Sequence, residues 1–132
     1  KLVEYLFHSY NIQNNNIQLE MEIQAIRLDI DTLVPLGLVM NELISNSLKY
    51  AFPNQRKGFI KVSLYHESDI LKLSVYDNGI GIPSNHSNFN QNSFGHKMIH
   101  AFMKKLKGSI RIYNDDGTKV DIEIKNFKMD KQ

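Results

Sequence analysis

The chain has 132 residues, 42% hydrophobic and 23% charged, with 16 Lys plus Arg against 14 Asp plus Glu. That size suits one domain around a single core, and a formal charge of +2 lacks the basic footprint of a nucleic-acid binder. Cysteine is absent, which excludes disulfides, thiolate metal sites and cysteine nucleophiles. Charged residues interrupt every apolar run before the roughly 18 residues that a bilayer span needs, and the first ten residues hold no signal-peptide core. A soluble, intracellular domain with no direct membrane insertion is therefore expected. Residues 1–10 read as helix, and a chain opening on Lys1 is expected to be an excerpt of a longer protein.

The elements follow in chain order from the spacing of apolar residues. Ile17, Leu19, Met21 and Ile23 alternate with Gln18, Glu20 and Glu22, the period of a strand with one wet face. A helical period runs from about Thr32 to Phe52. Two further alternating runs follow, Ile60/Val62/Leu64 and Leu71/Leu73/Val75, then a second helical stretch from about Ser93 to Lys107 with Ile99, Phe102, Met103 and Leu106 on one stripe. Ser93 suits its cap, Lys104, Lys105 and Lys107 suit its negative end, and Gly108 suits its stop. Ile110/Ile112 and Val120/Ile122/Ile124 close the chain. Five half-wet strands and covering helices predict an α/β fold, a two-layer α/β sandwich whose mixed sheet carries helices on one face. Between Pro83 and Ser93 lies SNHSNFNQN, a polar connection that reads as a ligand-gated lid or as a mobile loop.

Polar residues on the first long helix are not scattered. At about 100° per residue, Glu42, Asn46 and Lys49 fall within roughly 60° of one another, while Leu36, Met40, Leu43, Ile44, Leu48 and Ala51 cluster opposite and are expected to face the sheet. Such a stripe is either a solvated outer face or one wall of a site. Asp77 continues the inward register of Leu71, Leu73 and Val75, and a buried carboxylate must find donors or cost several kcal/mol. An adenine amino group is one such donor. Asp77-Asn78-Gly79 is also a turn signal. Thr118 shares the inward register of Val120 and Ile122, where it either bridges to Asp77 or satisfies local backbone. No G-x-x-x-x-G-K-[ST] run occurs, and the dinucleotide fingerprint lacks its third glycine and its helix. The start of the helix after Ser93, with Gly95, His96 and Lys97, offers free N–H groups and a cation to phosphate oxygens.

NELISNSLKY, then DNGIGIP after a strand, a polar lid, SFGHKMI opening a helix, and GTKV in the last strand together resemble the ATP-binding catalytic domain of sensor histidine kinases. That domain belongs to the superfamily shared with gyrase, Hsp90 and MutL-type ATPases, whose fold is a Bergerat-type mixed sheet covered on one face by helices. The resemblance covers almost the whole chain, and PLGLVMNELISNSLKYAF is similar to the kinase branch carrying PLGL-x-x-NEL-x-x-NA-x-KHAF. It implies a single ATP-binding domain over residues 1–132, with 1–12 as the tail of a preceding phospho-acceptor helix domain and 83–94 as the ATP lid.

The resemblance also implies roles for particular residues. Asn46 matches the Mg²⁺ ligand, and one protein ligand suffices for magnesium carried on phosphates. Lys49 would neutralise phosphate, Tyr50 would stand beside the nucleotide, and Asp77 would accept from the adenine amino group with Thr118 in support. Gly79 and Gly81 match the first glycine box, and Gly95, His96 and Lys97 would close over the phosphates. Glu42 matches the residue that orients or deprotonates the nucleophile. The implied function is transfer of the γ-phosphoryl of Mg-ATP to a histidine outside this chain. The implied partners are the phospho-acceptor domain and a response regulator, in a homodimeric parent protein, membrane-bound or not, whose catalytic domain is cytoplasmic. Three departures stand out: one clear lid glycine where many relatives have two, His96 for a usual leucine, and Tyr50 for the branch's histidine. The absence of tryptophan excludes the HWE signature.

Two other functions remain open on the residues alone. One is an ATPase-type clamp, in which Glu42 activates water. The other is a nucleotide-binding module without catalysis. His8, in LFHSYN, does not resemble an acceptor histidine. His66, His86 and His100 show no ligand spacing with one another that would predict a structural zinc or iron site.

Overall fold

The computed structural model describes residues 16–82 and 94–125. The expected amino-terminal tail, the segment between Pro83 and Ser93 and the last seven residues lie outside them. Strand β1 (Ile17–Ile23) leads to helix α1 (Ile30–Tyr50), a 3-10 turn (Pro53–Gln55), strands β2 (Gly58–Glu67) and β3 (Ile70–Asp77), helix α2 (Phe94–Leu106), and strands β4 (Gly108–Asn114) and β5 (Thr118–Lys125). The sheet order is β1-β2-β3-β5-β4. β1 and β2 are parallel and the other pairs antiparallel, so the sheet is mixed. α1 makes the connection that a parallel pair requires.

Alternation on each strand resolves into one dry face. Ile60, Val62 and Leu64 of β2, Leu71, Leu73 and Val75 of β3, and Val120, Ile122 and Ile124 of β5 are all buried. They align in rows such as Val62–Val75–Val120 and Leu64–Leu73–Ile122. Helix faces close over them: Leu36, Val39, Met40, Leu43 and Ile44 from α1, Ile99 and Met103 from α2. The opposite sheet face carries Lys72, Ser74, Asp121 and Glu123 and stays wet. This is the predicted two-layer sandwich.

Helix ends show local causes. Asp29 caps α1, its carboxylate accepting from the Asp31 N–H at 3.3 Å. The stop of α2 differs from the expectation: the helix ends at Leu106 and Lys107, at φ 55°, takes the left-handed position, while Gly108 already begins β4. Packing explains that glycine, because a Cβ there would stand 3.0 Å from the Glu123 carbonyl and 3.2 Å from Met103 Sδ. On the outer side of α1, Ile30, Leu33, Val34 and Leu38 are exposed, an apolar stripe at helical spacing one turn before Glu42.

Candidate functional site

Asp77 ends β3 as the last residue of its apolar row, opposite Ile60 on one side and Thr118 on the other. It is only 3% exposed. Its carboxylate is held from three directions: Ser47 Oγ donates to Oδ2 at 2.8 Å, the Gly79 N–H donates to Oδ1 at 3.0 Å, and the Thr118 N–H approaches Oδ1 at 3.4 Å. Burial pushes its pKa up; the Ser47, Gly79 and Thr118 hydrogen bonds and the Arg56 charge pull the other way without cancelling it. The turn and buried-acceptor readings of Asp77 are thus both realised, since the same carboxylate that caps the turn at Gly79 lies on the dry side of the sheet. Thr118 meets it through its backbone N–H.

The loop after Asp77 is fastened to its surroundings by backbone contacts. The Ile80 N–H donates to the Ala51 carbonyl at 3.0 Å, and a Cβ on Gly79 would collide with that carbonyl. This close approach of loop to helix end is why position 79 takes glycine. Gly81 lies at φ +80° beside Asn114, whose side chain accepts from the Ile82 N–H at 2.7 Å and donates to the Ile82 carbonyl at 3.1 Å. Asn78 is turned the other way, accepting from the Phe59 N–H at 2.7 Å. Gly117, at φ +138°, passes so close to the Asp77 carbonyl that any Cβ would overlap it.

The stripe expected on α1 is present and projects beside this cluster. Glu42 and Asn46 are half-buried, and Lys49 and Tyr50 are exposed. Ser47, next to Asn46, ties the stripe's helix to Asp77. At the other end of the stripe the first turn of α2 abuts Glu42, because a Cβ on Gly95 would overlap the Glu42 carboxylate. Lys97, two residues on, is exposed, and the His96 and His100 rings meet in a tilted contact with centroids 4.7 Å apart. Burial, then the charge of His100, holds the His96 imidazole below its usual range. The structure thus joins Asp77, Gly79 and Thr118 in one cluster and Glu42 with Gly95 in another, with Asn46 carried on the helix between them.

Sequence reasoning passed over Ser47, Asn114 and Gly117. Ser47 had a signal: Leu43 and Ala51 lie four residues to either side of it and both are buried, so a hydroxyl there must meet a polar partner inside. Among the described residues, no group of three or more His, Cys, Asp or Glu side chains gathers to hold a metal. A single carboxamide such as Asn46 fits only a hard cation that brings most of its ligands with it, as magnesium does on a nucleotide. The Asn46 carboxamide therefore suits a phosphate-borne Mg²⁺.

Comparison with known proteins supplies the family. Residues 32–128 match the family described as Histidine kinase-, DNA gyrase B-, and HSP90-like ATPase. The chain is similar to Blue-light-activated histidine kinase 2 of Erythrobacter litoralis, 24% identical over 110 residues that make up 82% of this chain and 32% of that protein. It is also similar to the Sensor protein LytS of Staphylococcus epidermidis, 42% identical over 55 residues, covering 41% of this chain and 9% of that protein. Among solved structures, the histidine kinase domain of the Erythrobacter litoralis EL346 blue-light activated histidine kinase superposes with a TM-score of 0.85. It is 21% identical, and the match covers 94% of this chain and 57% of that one. The chain thus spans about a third of the first of these kinases, and no helix among its described residues is long and apolar enough to cross a membrane. A family match spanning residues 32–128, laid over a mixed five-stranded sheet with helices on one face, places this chain in the Histidine kinase-, DNA gyrase B-, and HSP90-like ATPase family.

Proposed function

We propose that this chain is the catalytic ATP-binding domain of a sensor histidine kinase, transferring the γ-phosphoryl group of Mg-ATP to a histidine on another domain. The observation that carries the reading is the buried Asp77 carboxylate: Ser47 Oγ donates to its Oδ2 while the Gly79 and Thr118 N–H groups are on Oδ1, and a carboxylate oxygen with two lone pairs keeps acceptor capacity for an adenine amino group. Gly79 and Gly81 let the base approach the loop backbone, and Thr118 fixes the Asp77 carboxylate from the neighbouring strand. Asn46 would hold the magnesium, which when bound offsets phosphate charge. Lys49 and Lys97 add cationic charge beside the phosphates, with Tyr50 next to the nucleotide and Gly95 and His96 at the closing end of a lid spanning residues 83–94.

Glu42 would accept a hydrogen bond from one imidazole N–H of the acceptor, leaving the other nitrogen better able to attack phosphorus. Positioning and charge neutralisation then do most of the catalytic work. The exposed stripe Ile30, Leu33, Val34 and Leu38 gives the acceptor domain an apolar surface beside Glu42. On this reading residues 1–132 form one domain with 1–12 continuing from the acceptor helices. The intact protein is a homodimer serving a response regulator, with this domain in the cytoplasm.

Equilibrium binding of ATP and GTP, with and without Mg²⁺, tests the site. ATP is expected to bind preferentially and Asn46→Ala to abolish the magnesium dependence; equal affinity for ATP and GTP would overturn the adenine assignment. The fate of labelled γ-phosphate in the intact protein tests the reaction. Label retained as acid-labile phosphohistidine supports the kinase, release as inorganic phosphate identifies a hydrolytic clamp, and magnesium-dependent binding with neither identifies a module without catalysis.

A further inference from the structure

The two histidines of α2 stand four residues apart on one helix face, with ring centroids 4.7 Å apart and ring planes inclined at 59°. The nucleotide reading uses His96 at the phosphate end of the site and gives His100 no role. An imidazole bound to a late first-row divalent cation at about 2.0–2.1 Å places its ring centroid roughly 3.2 Å from the metal. Two such rings on one ion, with nitrogens about 90–109° apart, have centroids separated by roughly 4.5–5.2 Å. The observed separation falls inside that window, near its cis, right-angled end. Helical spacing of i and i+4 also presents both side chains on one face without backbone adjustment.

We propose that His96 and His100 form a bidentate site for a late first-row divalent transition metal ion of the Ni²⁺ or Cu²⁺ type. Imidazole nitrogens at cis positions suit the tetragonal or octahedral coordination of those ions. Among the described residues no third His, Cys, Asp or Glu joins the pair, so the proposed site is a two-imidazole chelate. His100 is exposed and His96 half-buried, which leaves the pair open to solvent on one side. The ion would clip the first two turns of α2, the segment whose opening residue Gly95 sits against Glu42, and would hold that helix start in place. Lys97 and Lys104 on the same helix oppose a cation there, so the chelate must outweigh their repulsion.

Titration of the 132-residue chain with Ni²⁺ alone, without nucleotide, tests this independently of any ATP chemistry. The unmodified chain is expected to bind one Ni²⁺ ion at this pair and to gain a few degrees in Tm. His100→Gln, and separately His96→Gln, should each weaken that binding about 100-fold, because the second imidazole acts intramolecularly. His66→Gln, remote in sequence on β2, should leave it unchanged. Paramagnetic broadening confined to the His96 and His100 ring signals of the unmodified chain gives a readout that needs no variant. Equal Ni²⁺ affinity in the unmodified chain and His100→Gln, or broadening centred on other histidines, would overturn the site.

Discussion

Ser47 Oγ lies 2.8 Å from Asp77 Oδ2, so the long helix and the end of the central strand β3 are joined by one hydrogen bond at the point where the candidate site begins. The bond crosses 30 residues of sequence and reaches the only carboxylate buried among the described residues. Leu43 and Ala51, four residues to either side of Ser47, are both buried.

Ser47→Ala should therefore cost about 1.5–3 kcal/mol of folding stability, the range for a hydrogen bond to a charged group, and raise the Asp77 pKa further. Urea denaturation of the two chains at neutral pH measures the first effect. A cost below about 0.5 kcal/mol would show that the hydroxyl is replaced by water.

Asp77 sets a pH dependence whose direction follows from its raised pKa. The folded chain binds a proton more readily than the unfolded one, so this group's contribution is greatest below the ordinary carboxylate range and is lost as pH rises through its folded-state pKa. Asp77→Asn cannot titrate. The stability of the unmodified chain relative to Asp77→Asn should thus improve on going from neutral pH to about pH 4. Parallel denaturation curves at both pH values check the sign, and a difference that stays constant would contradict it. Adenine nucleotide affinity should move the other way, weakening in acid as the acceptor is protonated.

Gly95→Ala places a methyl group where the Glu42 carboxylate lies. The expected cost is about 1–3 kcal/mol from overpacking, with loss of phosphotransfer if Glu42 is displaced. Because both residues occupy the same volume, Glu42→Ala should relieve the penalty. A double-mutant cycle read by thermal unfolding is expected to show coupling of about 1 kcal/mol or more; additive effects would mean the two groups avoid each other in solution.

Gly117→Ala combines a φ of +138° with overlap onto the Asp77 carbonyl. Both the backbone strain and the clash act on the folded state, so a loss of about 2–4 kcal/mol is expected. Gly37→Ala is the contrast: nothing lies within 4 Å of a Cβ there, and as an exchange within a helix it should stabilise by about 0.5–1 kcal/mol.

Alternation in residues 17–23, 60–64, 71–75, 110–112 and 120–124 and helical spacing in 32–52 and 93–107 determined the five strands, both described helices and the inward side of each. Local period alone decides which side chains share a face. The inward register of Asp77 was legible for the same reason, as was the stripe Glu42, Asn46 and Lys49. Tertiary structure decided which of these faces meet. That Ser47 donates to Asp77, that Gly117 passes over its carbonyl, that Asn114 pairs with the Ile82 backbone, and that Gly95 rests on Glu42 all depend on strand order and helix placement. Those contacts join residues 30 or more positions apart, and no periodicity along the chain encodes a distance across it.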